Sequence, residues 1–370
     1  MSGPAHPLAV LATGGTGGHV FPAEALAVQL RQRGWQLALA TDARARQWKG
    51  ALGEVPVHAI HAASPSGGLV GKINGALQLT RGFVEACALL RRLKPQAVIG
   101  FGGYASVPTL WAATRLGSAT ILHEQNAVLG RANRLLASRV DAIATAFAKV
   151  KFLERAATLT GNPVRAAILA LRDVAYRAPQ PGAPIELLVF GGSQGASQLS
   201  QLVPAAIAAL PDDLRARLRV SQQCRSEDLG AVTAAYRQMG VPATVAAFFD
   251  DIPARLAGAH LVVARAGAST VAELTACGRP SILIPYPHAT DDHQTANARA
   301  LDEVGASIVM APAAADAAGL AKNFAELLAA PDRLARMARA AHQVGVPDAA
   351  GRLADLVDAV TAKRGQRRAA

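Results

Sequence analysis

Several protein classes are excluded by what this chain lacks. Its 370 residues hold only three cysteines, Cys87, Cys224 and Cys277, which lie far apart and form no CxxC pair. That leaves no disulfide framework and no zinc module, and it fits a reducing compartment. Aromatic residues make up 4%, too few to furnish the stacking platforms that bind single-stranded nucleic acid. Charged residues are also sparse, 17% against 51% hydrophobic, so a packed globular protein is expected and broad disorder is not. No intact membrane-spanning run is present. The uncharged stretch from Pro95 to Thr114 is interrupted by Gly100, Gly102, Gly103 and Pro108, and reads as a buried strand, a glycine turn and a helix. The opening MSGPAHPLAVLATGG has neither the basic n-region nor the cleavage site of a secretory leader. A soluble protein is expected.

Positive charge is plentiful by contrast: the net charge is +12 and the isoelectric point is near 10.3. Nucleic acid, anionic lipid headgroups and phosphorylated substrates all attract such a field. Arginines spread along helices also read as an ordinary solvated surface, and the segment Lys363-Arg364-Gly365-Gln366-Arg367-Arg368 reads as a basic tail.

The length suits two domains of about 150 to 200 residues each. Short apolar runs alternate with helical patterns, the mark of parallel α/β units. Strands are expected at Leu8–Ala12, Gln36–Ala40, Ala97–Phe101, Ala119–Leu122 and Ala142–Thr145 in the first half. The second half offers Ile185–Phe190, Leu218–Ser221, Ala243–Ala247, Leu261–Ala264, Ser281–Ile284 and Ser307–Met310. Two segments repeat one design: LAVLATGGTGGHVFPAEALAVQL near the start and IELLVFGGSQGASQLSQLVPAAI in the middle. Each joins a β-rich run, a glycine loop and a helix, so each can open its own doubly wound domain. A pair of such domains leaves a cleft, where ligands usually bind.

Four glycine-rich loops follow expected strands. The first, Thr13-Gly14-Gly15-Thr16-Gly17-Gly18-His19, lets backbone N–H groups approach an anion at a helix N-terminus. It fails as a dinucleotide fingerprint, because Val20 stands where GxGxxG needs glycine; Asp42 only imitates the acidic ribose ligand of a dehydrogenase. The second, Gly191-Gly192-Ser193-Gln194-Gly195-Ala196, adds a hydroxyl that can donate to a phosphate. The third is Gly100-Phe101-Gly102-Gly103-Tyr104 and the fourth Arg265-Ala266-Gly267-Ala268-Ser269-Thr270. One such turn reflects only tight geometry; four of them at strand ends point to a site. Beyond the fourth come Glu273, able to accept both hydroxyls of a ribose, and the polar run Thr290 to Asn297 with Gln294. Amides suit neutral sugar hydroxyls because they carry donors and acceptors together. The same run also reads as a helix cap at Asp291 or Asp292. As a metal site Asp291, Asp292 and His293 lack companions to complete a shell.

In this order the segments GGTGGH, GFGGYASVP, HEQNAVLGRAN, TGNPVR, VFGGSQGA, FFDDI, RAGASTVAEL and DDHQTANA resemble the UDP-N-acetylglucosamine:lipid I N-acetylglucosaminyltransferases that make lipid II in bacterial cell-wall synthesis. They run from Gly14 to Asn297, about three quarters of the chain. The resemblance implies a GT-B fold, two doubly wound Rossmann-like domains facing a cleft. The first, residues 1–163, would take the acceptor and associate with the membrane; the second, 164–345, would take the donor; a C-terminal helix and basic tail, 346–370, would pack back on the first. It implies inverting, metal-independent transfer with no cofactor. Donor contacts carry over to the Phe249 backbone, Arg165, Ser193, Gln294, and Ala268, Ser269, Thr270, Val271, Ala272 and Glu273, with Glu273 on the ribose. Thr16, Gly17, Gly18 and Asn126 would close over the donor from the first domain. Gly14, Gly15, Gly102, Gly103 and Tyr104 belong to the acceptor or diphosphate loops.

The implied chemistry needs a base for the muramyl C4 hydroxyl, and an imidazole titrates in the right range. His19 is the candidate, with a positioning role as its alternative; Glu124 is a second candidate base. The implied partners are UDP-GlcNAc, the undecaprenyl-diphosphate-linked muramyl pentapeptide and an anionic membrane surface, and not nucleic acid, which places the protein peripherally on the cytoplasmic face of the bacterial inner membrane. From Gly67 to Lys94, apolar Leu69, Val70, Ile73, Leu77, Leu79 and Phe83 lie among Lys72, Arg81, Arg91, Arg92 and Lys94. That pattern suits an anionic leaflet, or a helix that packs Ile73, Leu77 and Val84 on its own sheet. The competing functions are another glycolipid glycosyltransferase of this fold, a UDP-GlcNAc 2-epimerase, and a non-catalytic nucleic-acid binder suggested by charge alone.

Overall fold

Leu8–Thr13 reads LAVLAT and is buried from its second residue onward, as befits a strand covered on both faces of a parallel sheet. It is β1 of a seven-stranded sheet with β2 (Gln36–Thr41), β3 (Val57–Ala59), β4 (Ala97–Gly100), β5 (Ala119–Glu124), β6 (Ala142–Thr145) and β7 (Thr158–Leu159). A second, six-stranded sheet contains β8 (Ile185–Phe190), β9 (Leu218–Gln223), β10 (Ala243–Ala246), β11 (Leu261–Ala264), β12 (Ser281–Leu283) and β13 (Ser307–Val309). The computed structural model describes residues 6–14, 17–42, 52–64, 68–191 and 197–369.

The spatial orders are β3-β2-β1-β4-β5-β6-β7 and β10-β9-β8-β11-β12-β13. Both start in the middle, wind outward one way, then return to wind the other, which is the doubly wound order. The repeated strand–glycine loop–helix segments therefore occupy equivalent places, at β1 and β8. The chain divides into two compact units, one of Met1–Arg165 with Pro347–Ala370, the other of Ala166–Val346. The first holds α1 (Gly17–Gln32), α2 (Leu69–Leu93), α3 (Val107–Leu116) and α4 (Arg131–Leu136). The second holds α5 (Ala166–Leu169), α6 (Ser197–Ala208), α7 (Asp212–Arg217), α8 (Leu229–Gln238), α9 (Ile252–Gly258), α10 (Ala268–Cys277), α11 (His293–Asp302), α12 (Ala317–Leu328) and α13 (Pro331–Val344). The last helix, α14 (Ala349–Ala369), belongs to the first unit.

Strand periodicity divides the first unit's core in two. Ala9, Leu11, Leu37, Leu39, Ala97 and Ile99 point to one face, where Leu353, Ala354 and Val357 of α14 join them. Their neighbours Val10, Ala38, Ala40 and Val98 point to the other, against Leu89 and Leu90 of α2. Polar contacts fix the seat of α14: the Arg33 guanidinium reaches Asp355 and Asp358, each at 2.7 Å, and Trp35 Nε1 donates to Asp358 at 2.9 Å. At its far end Arg364 pairs with Asp141 at 2.6 Å.

The packing of α2 overturns one of the two readings of its sequence. Ile73, Leu77 and Val84 do not cover the sheet; they are 53%, 63% and 63% exposed, and Leu69 and Val70 are 76% and 81% exposed. The buried face is instead Gly75, Gly82, Ala86, Cys87, Leu89 and Leu90. The reason is close approach: a methyl group on Gly82 would sit 1.9 Å from the carbonyl oxygen of His61. Only the small-residue face lets the helix come that near, so the aliphatic face turns outward. Among the described residues no helix is long and apolar enough to cross a membrane.

Candidate active site

In a doubly wound sheet the crevice opens at the carboxyl ends of the two strands where the winding reverses. Those are β1 and β4 in the first unit, β8 and β11 in the second. Gly17, Gly18 and His19 form the first turn of α1, directly beyond β1. Gly102 and Gly103 follow β4 with φ of 83° and 72°, in the left-handed region that glycine enters without strain. The His19 ring lies against this turn. A methyl group on Gly103 would be 3.5 Å from His19 Cε1, one on Gly102 3.6 Å from Cδ2, and one on Gly14 3.5 Å from Nδ1. Three glycines thus form the seat of one half-buried imidazole. Tyr104 begins the short turn Tyr104–Ser106 that leads into α3.

Glu124 closes β5 and is 1% exposed. Its Oε1 accepts the Asn126 N–H at 2.9 Å and Asn126 Nδ2 at 3.3 Å; its Oε2 accepts the Gly130 N–H at 2.9 Å and Asn133 Nδ2 at 2.6 Å. All four partners donate, so the set matches an ionised carboxylate. Burial raises the carboxyl's pKa and the four donors oppose that shift, the net displacement being upward. Such a carboxylate organises the loop from Asn126 to Gly130. The sequence alone could not single out Asn133: it lies nine residues beyond Glu124, on α4, and no short-range pattern ties the two. A methyl group on Gly102 would come within 3.4 Å of both amide atoms of Asn133, and Asn133 Oδ1 has no partner among the described residues.

His123, the neighbouring residue on β5, is fully buried; its Nε2 pairs with the Gly161 carbonyl at 3.0 Å and its Nδ1 with Gln125 Nε2 at 2.9 Å. Burial lowers its pKa to about 4. The folded chain therefore keeps this ring neutral, whereas the unfolded chain protonates it near the ordinary imidazole value of 6.5. The linked stability is fully present above pH 6.5 and is lost as pH falls toward 4, by up to about 3 kcal/mol. Urea unfolding across this range should show a shallower pH dependence for His123→Gln than for the wild type; equal slopes would refute the assignment. Arg165 closes the first unit, its guanidinium 4.8 Å from the Phe21 ring centroid.

In the second unit Ala268, Ser269, Thr270, Val271, Ala272 and Glu273 form the first six residues of α10, opening just beyond β11. Glu273 and Thr270 are nearly buried, and Ser269 Oγ has no partner among the described residues. Gln294 is the second residue of α11. Its Oε1 accepts the Ala266 N–H at 3.2 Å and the Tyr286 N–H at 2.9 Å, so this amide ties together the loops after β11 and β12. Its NH2 has no partner among the described residues. Asn297 donates to the Ala266 carbonyl at 3.0 Å and braces the same loop. Asp292 stands at the N-cap of α11, but its carboxylate takes the Thr295 hydroxyl at 2.6 Å and no backbone N–H.

Arg265, which carried no role in the sequence reading beyond its place in a loop, is 6% exposed. It donates to the carbonyls of Ile284 and Pro285 at 3.0 and 2.8 Å and to Gln198 Oε1 at 3.0 Å. These partners are neutral, and burial lowers its pKa. Among the described residues no carboxylate pairs with this buried cation, an arrangement suited to the reception of an anion. Phe249 is buried beside the Asp251–Arg255 pair. Gly15, Thr16 and Ser193 lie outside the described residues.

Two doubly wound parallel sheets, each with glycine-bearing turns at its switch-point strand ends, define the class: a protein of two Rossmann-like α/β units. Residues 9–145 match the glycosyltransferase family 28 N-terminal domain, and residues 186–353 the family 28 C-terminal domain. The chain belongs to glycosyltransferase family 28, and its fold is GT-B. It is 53% identical over 356 residues to the UDP-N-acetylglucosamine--N-acetylmuramyl-(pentapeptide) pyrophosphoryl-undecaprenol N-acetylglucosamine transferase of Rhodospirillum rubrum, covering 96% of this chain and 92% of that protein. A protein of the same name from Paramagnetospirillum magneticum is 55% identical over 356 residues, covering 95% and 96% respectively. Among solved structures, MurG of Acinetobacter baumannii superposes with a TM-score of 0.76 at 30% identity, covering 95% of this chain and 99% of that one.

Proposed function

We propose that this protein transfers N-acetylglucosamine from UDP-N-acetylglucosamine to the C4 hydroxyl of the N-acetylmuramyl unit of undecaprenyl-diphospho-muramyl-pentapeptide, releasing UDP with inversion at the anomeric carbon. The observation that carries this is near-complete coverage, at more than half identity, of relatives named for that transfer. The residue pattern supports it.

His19 takes the proton of the attacking hydroxyl, held by the three glycines around its ring. Glu124 acts through the loop it organises, presenting Asn126 to the donor. The Phe249 backbone reads the uracil, Glu273 takes the ribose hydroxyls, and Gln294 donates its NH2 to a sugar hydroxyl. Ser193, the N-terminal turn of α10 and the Arg265 field stabilise the charge that builds on the leaving diphosphate. Thr16, Gly17, Gly18 and Arg165 are further donor contacts. The exposed aliphatic face of α2, flanked by Lys72 and Arg81, rests on an anionic membrane, bringing the site to its lipid-borne acceptor. Sedimentation with anionic vesicles at low salt tests that contact. Binding abolished by Leu69→Asp with Val70→Asp is expected; undiminished binding would sink the surface.

The reaction is tested by measuring UDP release with EDTA present, with and without a soluble lipid I analogue. Release that depends on the acceptor and survives EDTA is expected. Epimerised UDP-sugar with no acceptor dependence would replace the transferase by an epimerase.

A further inference from the structure

Beyond β10 two successive phenylalanines take opposite environments: Phe248 is 61% exposed and Phe249 is 5% exposed. The Phe249 ring is capped by Arg255, whose guanidinium lies 4.0 Å from the ring centroid. The same guanidinium donates to Asp251 Oδ1 at 2.8 Å and to Ser221 Oγ at 2.6 Å. It holds the Asp251 carboxyl below its usual range. One side chain on α9 thus grips β9, the turn carrying Asp251, and the ring between them. Among the described residues the backbone N–H and C=O of Phe249 meet no partner, unusual for a residue buried to this degree.

We infer that Arg255 is a positioning residue for nucleobase selection: by clamping the Phe249 ring, Asp251 and Ser221 it fixes the backbone donor and acceptor of Phe249 in the orientation that an imide edge requires. This rests on the proposed uridine nucleotide. Uracil presents N3–H to a carbonyl and O4 to an N–H. Cytosine reverses both, setting donor against donor and acceptor against acceptor. A rigid peptide converts that reversal into discrimination, whereas a peptide free to rotate relaxes it. A planar guanidinium serves this purpose better than an ammonium, because it can stack on a ring and form directed hydrogen bonds at once.

The test is titration calorimetry of the full chain with UDP and with CDP. For wild type, UDP is expected to bind more tightly than CDP. Arg255→Ala should weaken UDP about tenfold and leave CDP within about twofold, so that the UDP-to-CDP ratio narrows. Phe249→Leu keeps the Asp251 and Ser221 bonds but removes the stack, and should narrow the ratio by about threefold. If Arg255→Ala does not fold, Arg255→Lys serves in its place, because an ammonium keeps the Asp251 pair and loses the stacked fork; its ratio should fall between the other two. An unchanged ratio overturns the inference, whether both affinities are intact or both have dropped by one factor, the mark of a merely structural role. A wild type that binds no UDP would remove the nucleotide reading and the inference with it. A wild type that binds UDP and CDP equally would overturn the inference and leave the nucleotide reading in place.

Discussion

His19→Ala is expected to lower turnover by about 10²–10⁴-fold while the Michaelis constant for UDP-N-acetylglucosamine stays within about threefold. The expectation follows from the position of the ring. It lies at the carboxyl end of β1, against Gly14, Gly102 and Gly103, close enough that a methyl group on any of them would make van der Waals contact with the ring. A ring held this closely is oriented before any substrate arrives, which is what general-base catalysis demands. The pH profile separates proton transfer from simple positioning. A base produces an ascending acid limb in kcat, and that limb should vanish in the variant. Normal turnover at every pH would dismiss His19 as the base. A loss that is uniform in pH and appears mainly in the Michaelis constant would leave it a binding residue.

Glu124→Ala is expected to cost about 3–5 kcal/mol of stability together with most of the activity. Removing the carboxylate strands the N–H groups of Asn126 and Gly130 and the side-chain amide of Asn133, all of which it now satisfies. Glu124→Gln keeps the shape but turns an NH2 toward donors, so it should recover only part of that stability. Urea denaturation, combined with activity at low temperature, decides the matter. Wild-type stability with abolished turnover would mean that Glu124 handles the substrate proton after all. Loss of both, in proportion across the two variants, fits a residue that works through its loop.

Much of the strand framework was legible locally. Leu261–Ala264, Ile185–Phe190 and Ala142–Thr145 fall where the apolar runs place them, and β5 and β9 merely continue two residues further, into His123-Glu124 and Gln222-Gln223. Those extensions are polar, so hydropathy stops short of them while the hydrogen-bond ladder does not. The edge strands β3 and β7 escaped notice because VHA and TL are too short to carry a period; they exist by pairing with β2 and β6. The face of α2 was misjudged in one reading for a related reason. Periodicity identifies which residues share a face, but only the approach of Gly82 to His61 determines which face turns inward.

By itself, then, the sequence determined the two doubly wound units, because alternating buried strands and amphipathic helices are local patterns, and the placing of glycine loops at strand ends, because those turns need residues without a Cβ. The tertiary structure alone decided how the polar groups are spent. The Glu124 carboxylate meets donors that come from as far as α4, and the Gln294 oxygen braces two loops. Among the described residues the Arg265 charge has only neutral partners, and Arg255 clamps Phe249 from a neighbouring helix. Strand and turn preferences act over a few residues and leave a trace in order and spacing. The partner of a buried charge is chosen by packing, between residues that no periodicity connects.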